Sequence, residues 1–339
     1  MNYRDKEKLC ELAHTFELNY RLTALYKAYL ENCPELIRPE MIDALTEGGE
    51  ISAKEALVAL LSEAFGLDYE KGGDDRRLIR DYLTPSVTIL DREKYKNNPY
   101  YKNVHIEDVK DGRWELRLEA YEPYRAVVCG DMVARNDFSE YAPLGFFTEK
   151  FYFPAVLEDG NEWMTLTPVD LDTCDEAIEK AHGKVVTFGL GLGYYAYMCA
   201  EKPDVSSVTV VEISEDVIRL FKQHILPQFS HPEKIRIVKC DAIEYARDVM
   251  PGEDFDYAFV DIWRDASDGA PVYEKMKPLE LLSPNTEFSY WIEGFLKSRL
   301  RALHFEGLYS KVENETPDAP RSYSEFIEEL RNYGSNIRL

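Results

Sequence analysis

Three glycines and three carboxylates carry the chemistry legible in this chain. The run Val185-Val186-Thr187-Phe188 is apolar and β-branched, and Gly189-Leu190-Gly191-Leu192-Gly193 follows with glycine at every second position. Such a segment predicts a buried strand breaking into a tight turn. Glycine suits the turn because it reaches positive φ without steric cost and lets a ligand approach the backbone. Beyond the turn, three further apolar runs each end in an acid: Glu212, Asp241 and Asp261. Glu212 lies about 20 residues past the glycines, where an acid accepts hydrogen bonds from two ribose hydroxyls. Asp241 is placed to accept from an adenine amino group, and Asp261 to stand near a reacting end. Each acid also has a plainer reading, as a helix N-cap or first-turn carboxylate favoured by the helix dipole.

The elements that must position these groups alternate. Strands are expected at Lys184–Phe188, Ser207–Val211, Ile235–Cys240 and Tyr257–Val260, with helices between them. One helix passes through Tyr194–Met198, and another is capped by Ser214 and carries Val217, Ile218, Leu220 and Phe221. This rhythm predicts an α/β fold, a doubly wound, mostly parallel sheet covered by helices on both faces. In open sheets of that kind ligands bind beyond the carboxyl ends of the strands. The glycine turn and all three acids would then face one crevice.

Upstream, residues 1–82 read as helical. Leu9, Leu12, Phe16, Tyr20 and Ala24 recur at helical spacing, and Ser52-Ala53-Lys54-Glu55 is a capping box for a helix that Gly66 ends. Residues 83–166 read as a small β-rich region, with strands at Trp114–Leu118, Tyr124–Val128 and Phe151–Phe153 and turns at Asp111-Gly112 and Asp159-Gly160. Thr167, Pro168 and Asp170 open a helix running to about His182, with Gly183 as its stop. The α/β region is expected over 167–310. A tail over 311–339 carries a short helix through Phe326, Ile327 and Leu330. The first 165 residues are expected to select substrate.

Composition narrows the partners. With 63 acidic and 40 basic residues the formal charge is -23, which repels polyanions and argues against nucleic acid. No apolar run approaches the ~20 residues of a membrane span, and the polar N-terminus lacks a signal-peptide core. A cytoplasmic location, with no membrane partner, is the expectation. The six cysteines are scattered without a C-x-x-C pair, as reduced buried side chains would be, and no metal-ligand spacing occurs. Oligomeric state is not legible.

Residues 184 to about 282 resemble the class I S-adenosylmethionine-dependent methyltransferase domain, through the glycine run and the strand-end acids. Phe188-Gly189-Leu190-Gly191-Leu192-Gly193 is most similar to the spermidine-synthase-like branch, since Thr187 stands where an acid usually precedes the first glycine by two positions. The resemblance implies a Rossmann-like fold with S-adenosylmethionine as cofactor. It would be held by Gly189, Leu190, Gly191, Gly193, Tyr194, Glu212, Ile213, Asp241, Ala242, Asp261 and Trp263. Asp261 or Asp265 would be the general base, and Trp263, Tyr194 and Tyr195 would wall the pocket. The acceptor is expected to be a small molecule, with a cationic one as the lesser alternative. Aminopropyl transfer and a non-catalytic, cofactor-binding regulator are the alternatives.

Two departures stand beside this resemblance. The branch's Asp-x-x-Asp element is replaced by Asp261-Ile262-Trp263-Arg264-Asp265. No fifth strand is visible either, since after Asp261 come Pro271–Leu282 and then an expected helix over Tyr290–Leu296. A nicotinamide-type G-x-G-x-x-G counted from Gly189 fails at Tyr194, and no G-K-[ST] follows for a P-loop.

Overall fold

The structure is a computed structural model and describes residues 1–335. Packing divides the chain into two compact units, one of Met1–Leu90, Pro123–Thr148 and the chain from Gly294 on, the other of Asp91–Glu122 and Glu149–Glu293. This grouping cuts across the four consecutive segments expected from composition. The reason is non-local packing. Phe326 and Leu330, on the helix Tyr323–Ser335, share a buried cluster with Leu9, Leu12 and Phe16 of the first helix, Tyr3–Asn32. Phe16 stacks on Phe305, their ring centroids 4.0 Å apart. The last four residues of the expected tail lie outside the described residues.

The first unit is built around those helices and a second cluster that includes Leu57, Leu61, Tyr82 and Phe146. The Ser52–Glu55 capping box forms as expected at the start of helix Ala53–Ala64. The expected strand at Tyr124–Val128 shrinks to Val127–Val128, because Tyr124 takes a positive φ of 60° while its N–H bonds the Phe147 carbonyl.

In the second unit, α1 (Pro168–Lys180) begins at a capping box in which Asp170 accepts from both the backbone N–H and the hydroxyl of Thr167. Then follow β1 (Gly183–Phe188), α2 (Tyr194–Glu201), β2 (Val205–Glu212), α3 (Glu215–Leu220), β3 (Ile235–Lys239), α4 (Ala242–Asp248), β4 (Tyr257–Val260), α5 (Ala266–Met276) and β5 (Glu287–Tyr290). All five strands are parallel, in the order β3-β2-β1-β4-β5. Successive strands step one way from β1 to β3 and the other way from β4 to β5. The order therefore reverses between β1 and β4, the position at which open α/β sheets bind ligands.

β5 corrects the expectation that Tyr290 begins a helix. Tyr290 ends a four-residue edge strand paired with Val260, and the helix starts at Glu293. Only Phe288 and Tyr290 of that strand are apolar, a pattern too short to register as a strand in the sequence alone. A separate antiparallel sheet of Val109–Asp111, Trp114–Tyr121, Phe151–Glu158 and Asn161–Thr165 belongs to the same unit. Among the described residues no helix is long and apolar enough to cross a membrane.

Candidate active site

The glycine turn is held by its neighbours on the sheet. Gly189 takes φ +97°, and a Cβ there would lie 1.9 Å from the Asp261 carbonyl oxygen, so β1 and β4 approach each other only because residue 189 lacks a side chain. Gly193 takes φ +76°, and a Cβ would meet the Phe221 ring at 2.2 Å. Gly191 differs, because its nearest neighbour is the Met164 sulfur, 3.8 Å from an ideal Cβ. The first and third glycines are thus required by packing, and at the middle one a Cβ would make only an ordinary contact with Met164. A cavity of about 10 Å³ sits beside Gly191, lined by Leu116, Val156 and Met164 of the antiparallel sheet and by Val217, Leu220 and Phe221. Another cavity, of about 740 Å³, belongs to the first unit, where Val58, Leu67 and Ile79 line it, and no residue of the glycine turn does.

Tyrosines fasten the turn from the side. The fully buried Tyr100, on the short helix Pro99–Asn103, donates its hydroxyl hydrogen to the Leu192 carbonyl at 2.6 Å. The Asn98 amide donates to the Tyr194 hydroxyl at 3.0 Å, and burial pushes the ionisation of Tyr194 upward. Tyr194 is buried, and Tyr195 stacks on Phe259 at 4.2 Å and donates to the Ala177 carbonyl. Both rings are packed into the α/β body.

The strand tips take up distinct roles. Glu212, last in β2, accepts the Leu190 N–H at 3.1 Å on one oxygen and the Ser214 N–H at 2.8 Å on the other. A carboxylate has about four lone-pair positions, which leaves two for hydroxyl donors. Ile213 beside it is 64% exposed, a large apolar side chain held at the tip of the sheet. Asp241 caps α4, its Oδ1 accepting from Ile243 and Glu244, and Ala242 is buried behind it. The plainer N-cap reading of Asp241 therefore holds in the structure.

Asp261 stands at the end of β4, beside the glycine turn. Burial pushes its carboxyl up to about 8, and the nearby Asp170 and Glu212 charges add to the shift. Burial also raises Asp170 to about 6, against the lowering effect of its bonds from Thr167. Cys174, one turn further along α1, is raised by burial and feels both aspartates. Asp170 is the site residue that sequence reasoning missed. Its signal was visible as the third residue of a capping box, but not its approach to Asp261.

Asp265 and Trp263 complete the loop after β4. Asp265 is the N-cap of α5, and its carboxylate accepts the Ser267 N–H at 2.6 Å and the Ser267 hydroxyl at 2.5 Å. Those bonds lower its pKa, so an exposed, committed cap is a poor proton acceptor compared with Asp261. Trp263 is buried, stacks parallel to Tyr290 at 6.4 Å, and its indole N–H is buried without a hydrogen-bond partner. Among the described residues no group of three or more histidines, cysteines or carboxylates is arranged to hold a metal.

No family model matches the chain, and no curated protein does. Solved structures resemble part of it. Spermidine synthase from Thermotoga maritima is similar over 44% of this chain and 56% of its own, at 17% identity and a TM-score of 0.30. A putative caffeoyl-CoA O-methyltransferase from Staphylococcus aureus is similar over 45% of this chain and 65% of its own, at 18% identity and a TM-score of 0.26. The methyltransferase PaMTH1 of Podospora anserina, solved with SAH bound, is similar over 49% of this chain and 66% of its own, at 15% identity and a TM-score of 0.28. The chain thus spans a little over half the length of the spermidine synthase it resembles.

Proposed function

We propose that the second unit is a Rossmann-like S-adenosylmethionine-binding domain and that the protein transfers a methyl group to a small molecule. The observation that carries this reading is the joining of Glu212 to the glycine turn through the Leu190 N–H. It sets a carboxylate with lone pairs to spare beside the turn at Gly191, where a Cβ would meet no atom closer than 3.8 Å, and an exposed apolar Ile213. A ribose diol on Glu212, an adenine against Ile213 and Ala242, and a methionyl chain along the turn would use all three.

The cofactor's sulfonium is already activated. The protein then mainly has to align nucleophile and methyl group, roughly 3–3.5 Å apart, in a site that excludes water. Asp261, with its raised pKa, is protonated at neutral pH until a cation arrives. Bound sulfonium would favour the carboxylate, which then accepts the acceptor's proton. The gathering of Asp170, Glu212 and Asp261 also suits an amine acceptor, and aminopropyl transfer from the decarboxylated cofactor is the second reading on the same ground.

Calorimetry with S-adenosylhomocysteine tests the domain assignment, with saturable binding expected and its absence sinking both readings. Mass spectrometry of ligand carried by the purified protein separates them. The homocysteine product supports methyl transfer, and a decarboxylated cofactor supports aminopropyl transfer.

A further inference from the structure

The 740 Å³ cavity of the first unit is built on one face of the helix Ala53–Ala64. Glu55, Val58, Ala59, Ser62 and Glu63 line it, at the spacing that puts residues on the same side of a helix. Leu67, Asp68 and Tyr69 join from the chain just beyond that helix, and Ile79 and Thr84 from the next helical stretch. The backbone of that stretch is π-helical over Leu78–Leu83, where Thr84 donates both its N–H and its hydroxyl to the Ile79 carbonyl five residues back. Wide turns of this kind are rare and recur at functional sites. Val58, Leu67 and Ile79 give the cavity buried apolar walls, while Ala59, Glu63 and Tyr69 are exposed and admit solvent. Its volume lies in the range of about 300–1,000 Å³ that small-molecule sites occupy.

The polar groups of the lining are mostly acceptors. The buried Ser62 hydroxyl commits its hydrogen to the Val58 carbonyl at 2.7 Å, and the Thr84 hydroxyl is committed to Ile79 at the same distance. Ser52 donates its own to Glu55, and the bonds from Ser52 lower the Glu55 pKa. Ionised Glu55, Glu63 and Asp68 can only accept. Lys54 and Tyr69 are the two lining side chains able to donate, and Tyr69 is 48% exposed with the Arg76 guanidinium over its ring.

Ser62 stands apart because it is buried. A hydroxyl oxygen keeps two lone pairs when its hydrogen is engaged, and among the described residues no group donates to this one. The three carboxylates disfavour an anion and the Lys54 ammonium disfavours a cation. Apolar walls penalise any charge brought against them.

We propose that this cavity binds a small neutral molecule with an apolar body and one O–H or N–H donor, which bonds the Ser62 hydroxyl oxygen. The site belongs wholly to the first unit, and the inference stands independently of the transferase reading.

The experiment is calorimetry of the full chain at pH 7 with three probes on one ring system. These are 1-naphthol, which is neutral and donates, 1-methoxynaphthalene, which is neutral without a donor, and anionic 1-naphthoate. Saturable binding of 1-naphthol is expected, about 2- to 10-fold tighter than 1-methoxynaphthalene, as one net hydrogen bond gives. No binding of 1-naphthoate is expected. Ala59→Phe fills the cavity from an exposed position and should abolish 1-naphthol binding while the melting temperature stays near the parent value. Ser62→Ala should remove the advantage of 1-naphthol and leave 1-methoxynaphthalene binding unchanged. Undiminished 1-naphthol binding by Ala59→Phe, or 1-naphthoate bound as tightly as 1-naphthol, overturns the proposal. A preference for 1-naphthol that persists in Ser62→Ala overturns it too. Equal affinity of the parent chain for 1-naphthol and 1-methoxynaphthalene does the same, even where Ser62→Ala does not fold.

Discussion

The Glu212 carboxylate and the Leu190 backbone are joined by a 3.1 Å hydrogen bond that ties the tip of the second strand to the glycine turn after the first. The same carboxylate holds Ser214 at the start of α3, so its orientation is fixed before any ligand arrives. Preorganised charged acceptors are worth more than neutral ones, about 1.5–3 kcal/mol per hydrogen bond. Glu212→Gln, which keeps the shape and removes the charge, is therefore expected to weaken S-adenosylhomocysteine roughly 10- to 100-fold at 1.4 kcal/mol per decade. Calorimetry reads the change directly, and an unchanged affinity would detach Glu212 from the ligand.

Proton release should accompany binding of the charged cofactor. Asp261, raised to about 8, carries its proton at pH 7. A sulfonium placed beside it favours the carboxylate and drives the proton off. Calorimetry of S-adenosylmethionine at pH 7 in two buffers of different ionisation enthalpy should reveal this release, smaller for the uncharged thioether product and lost in Asp261→Asn. The folding linkage has a definite sign as well. An acid whose pKa is raised by folding contributes stability that is complete below its unfolded value near 3.9 and is lost as pH rises through about 8. Asp261→Asn should then raise the melting temperature more at pH 8 than at pH 5. Equal effects at the two pH values would mean that Asp261 ionises unhindered.

What could be read from the sequence was local. Apolar β-branched runs ending in glycine or an acid, followed by capped helices, fix strands and turns through near-neighbour preferences. Four strands of the parallel sheet, the Ser52 and Thr167 capping boxes and the glycine turn were legible for that reason. The rest depends on which distant segments meet. Nothing near Asp170 in sequence places it against Asp261, and the pairing of Phe326 with Leu9 spans nearly the whole chain. Tyr195 has the composition of a pocket wall, but its stacking on Phe259 makes it core. The edge strand ending at Tyr290 was hidden because β4 supplies its only partner in the sheet.

The three turn glycines should not be equivalent. An alanine at 189 would place its Cβ 1.9 Å from the Asp261 carbonyl, and one at 193 would drive into Phe221 at 2.2 Å, both at positive φ. Neither the strand tip nor a buried ring moves cheaply, so Gly189→Ala and Gly193→Ala are expected to cost about 3 kcal/mol or more, above the 1–3 kcal/mol of backbone strain alone. Gly191→Ala meets only the Met164 sulfur at 3.8 Å and should cost about 1 kcal/mol, from its left-handed backbone. Thermal melts give the order. If Gly191→Ala is the most destabilised of the three, the close approach of β1 to β4 is not what selects glycine.

Tyr100 should matter to the site although it lies off the sheet. Its hydroxyl is buried and bonds the Leu192 carbonyl at 2.6 Å, and its ring meets Tyr194 and Tyr197 edge-on. Tyr100→Phe keeps that packing and deletes the single bond, leaving a buried carbonyl without its donor at about 1–3 kcal/mol. Part of this cost should appear as loosening of the turn. Hydrogen exchange at the Leu192 and Gly193 amides is expected to quicken, with S-adenosylhomocysteine affinity falling in parallel. Tyr95→Phe is the control, because its hydroxyl bonds Asp172 on α1 and not the turn. Were Tyr100→Phe to lower the melting temperature while exchange and affinity stayed at the parent values, Tyr100 would be a core residue only, and the turn would owe its shape to Gly189, Gly193 and the Gly193 N–H bond to the Leu190 carbonyl.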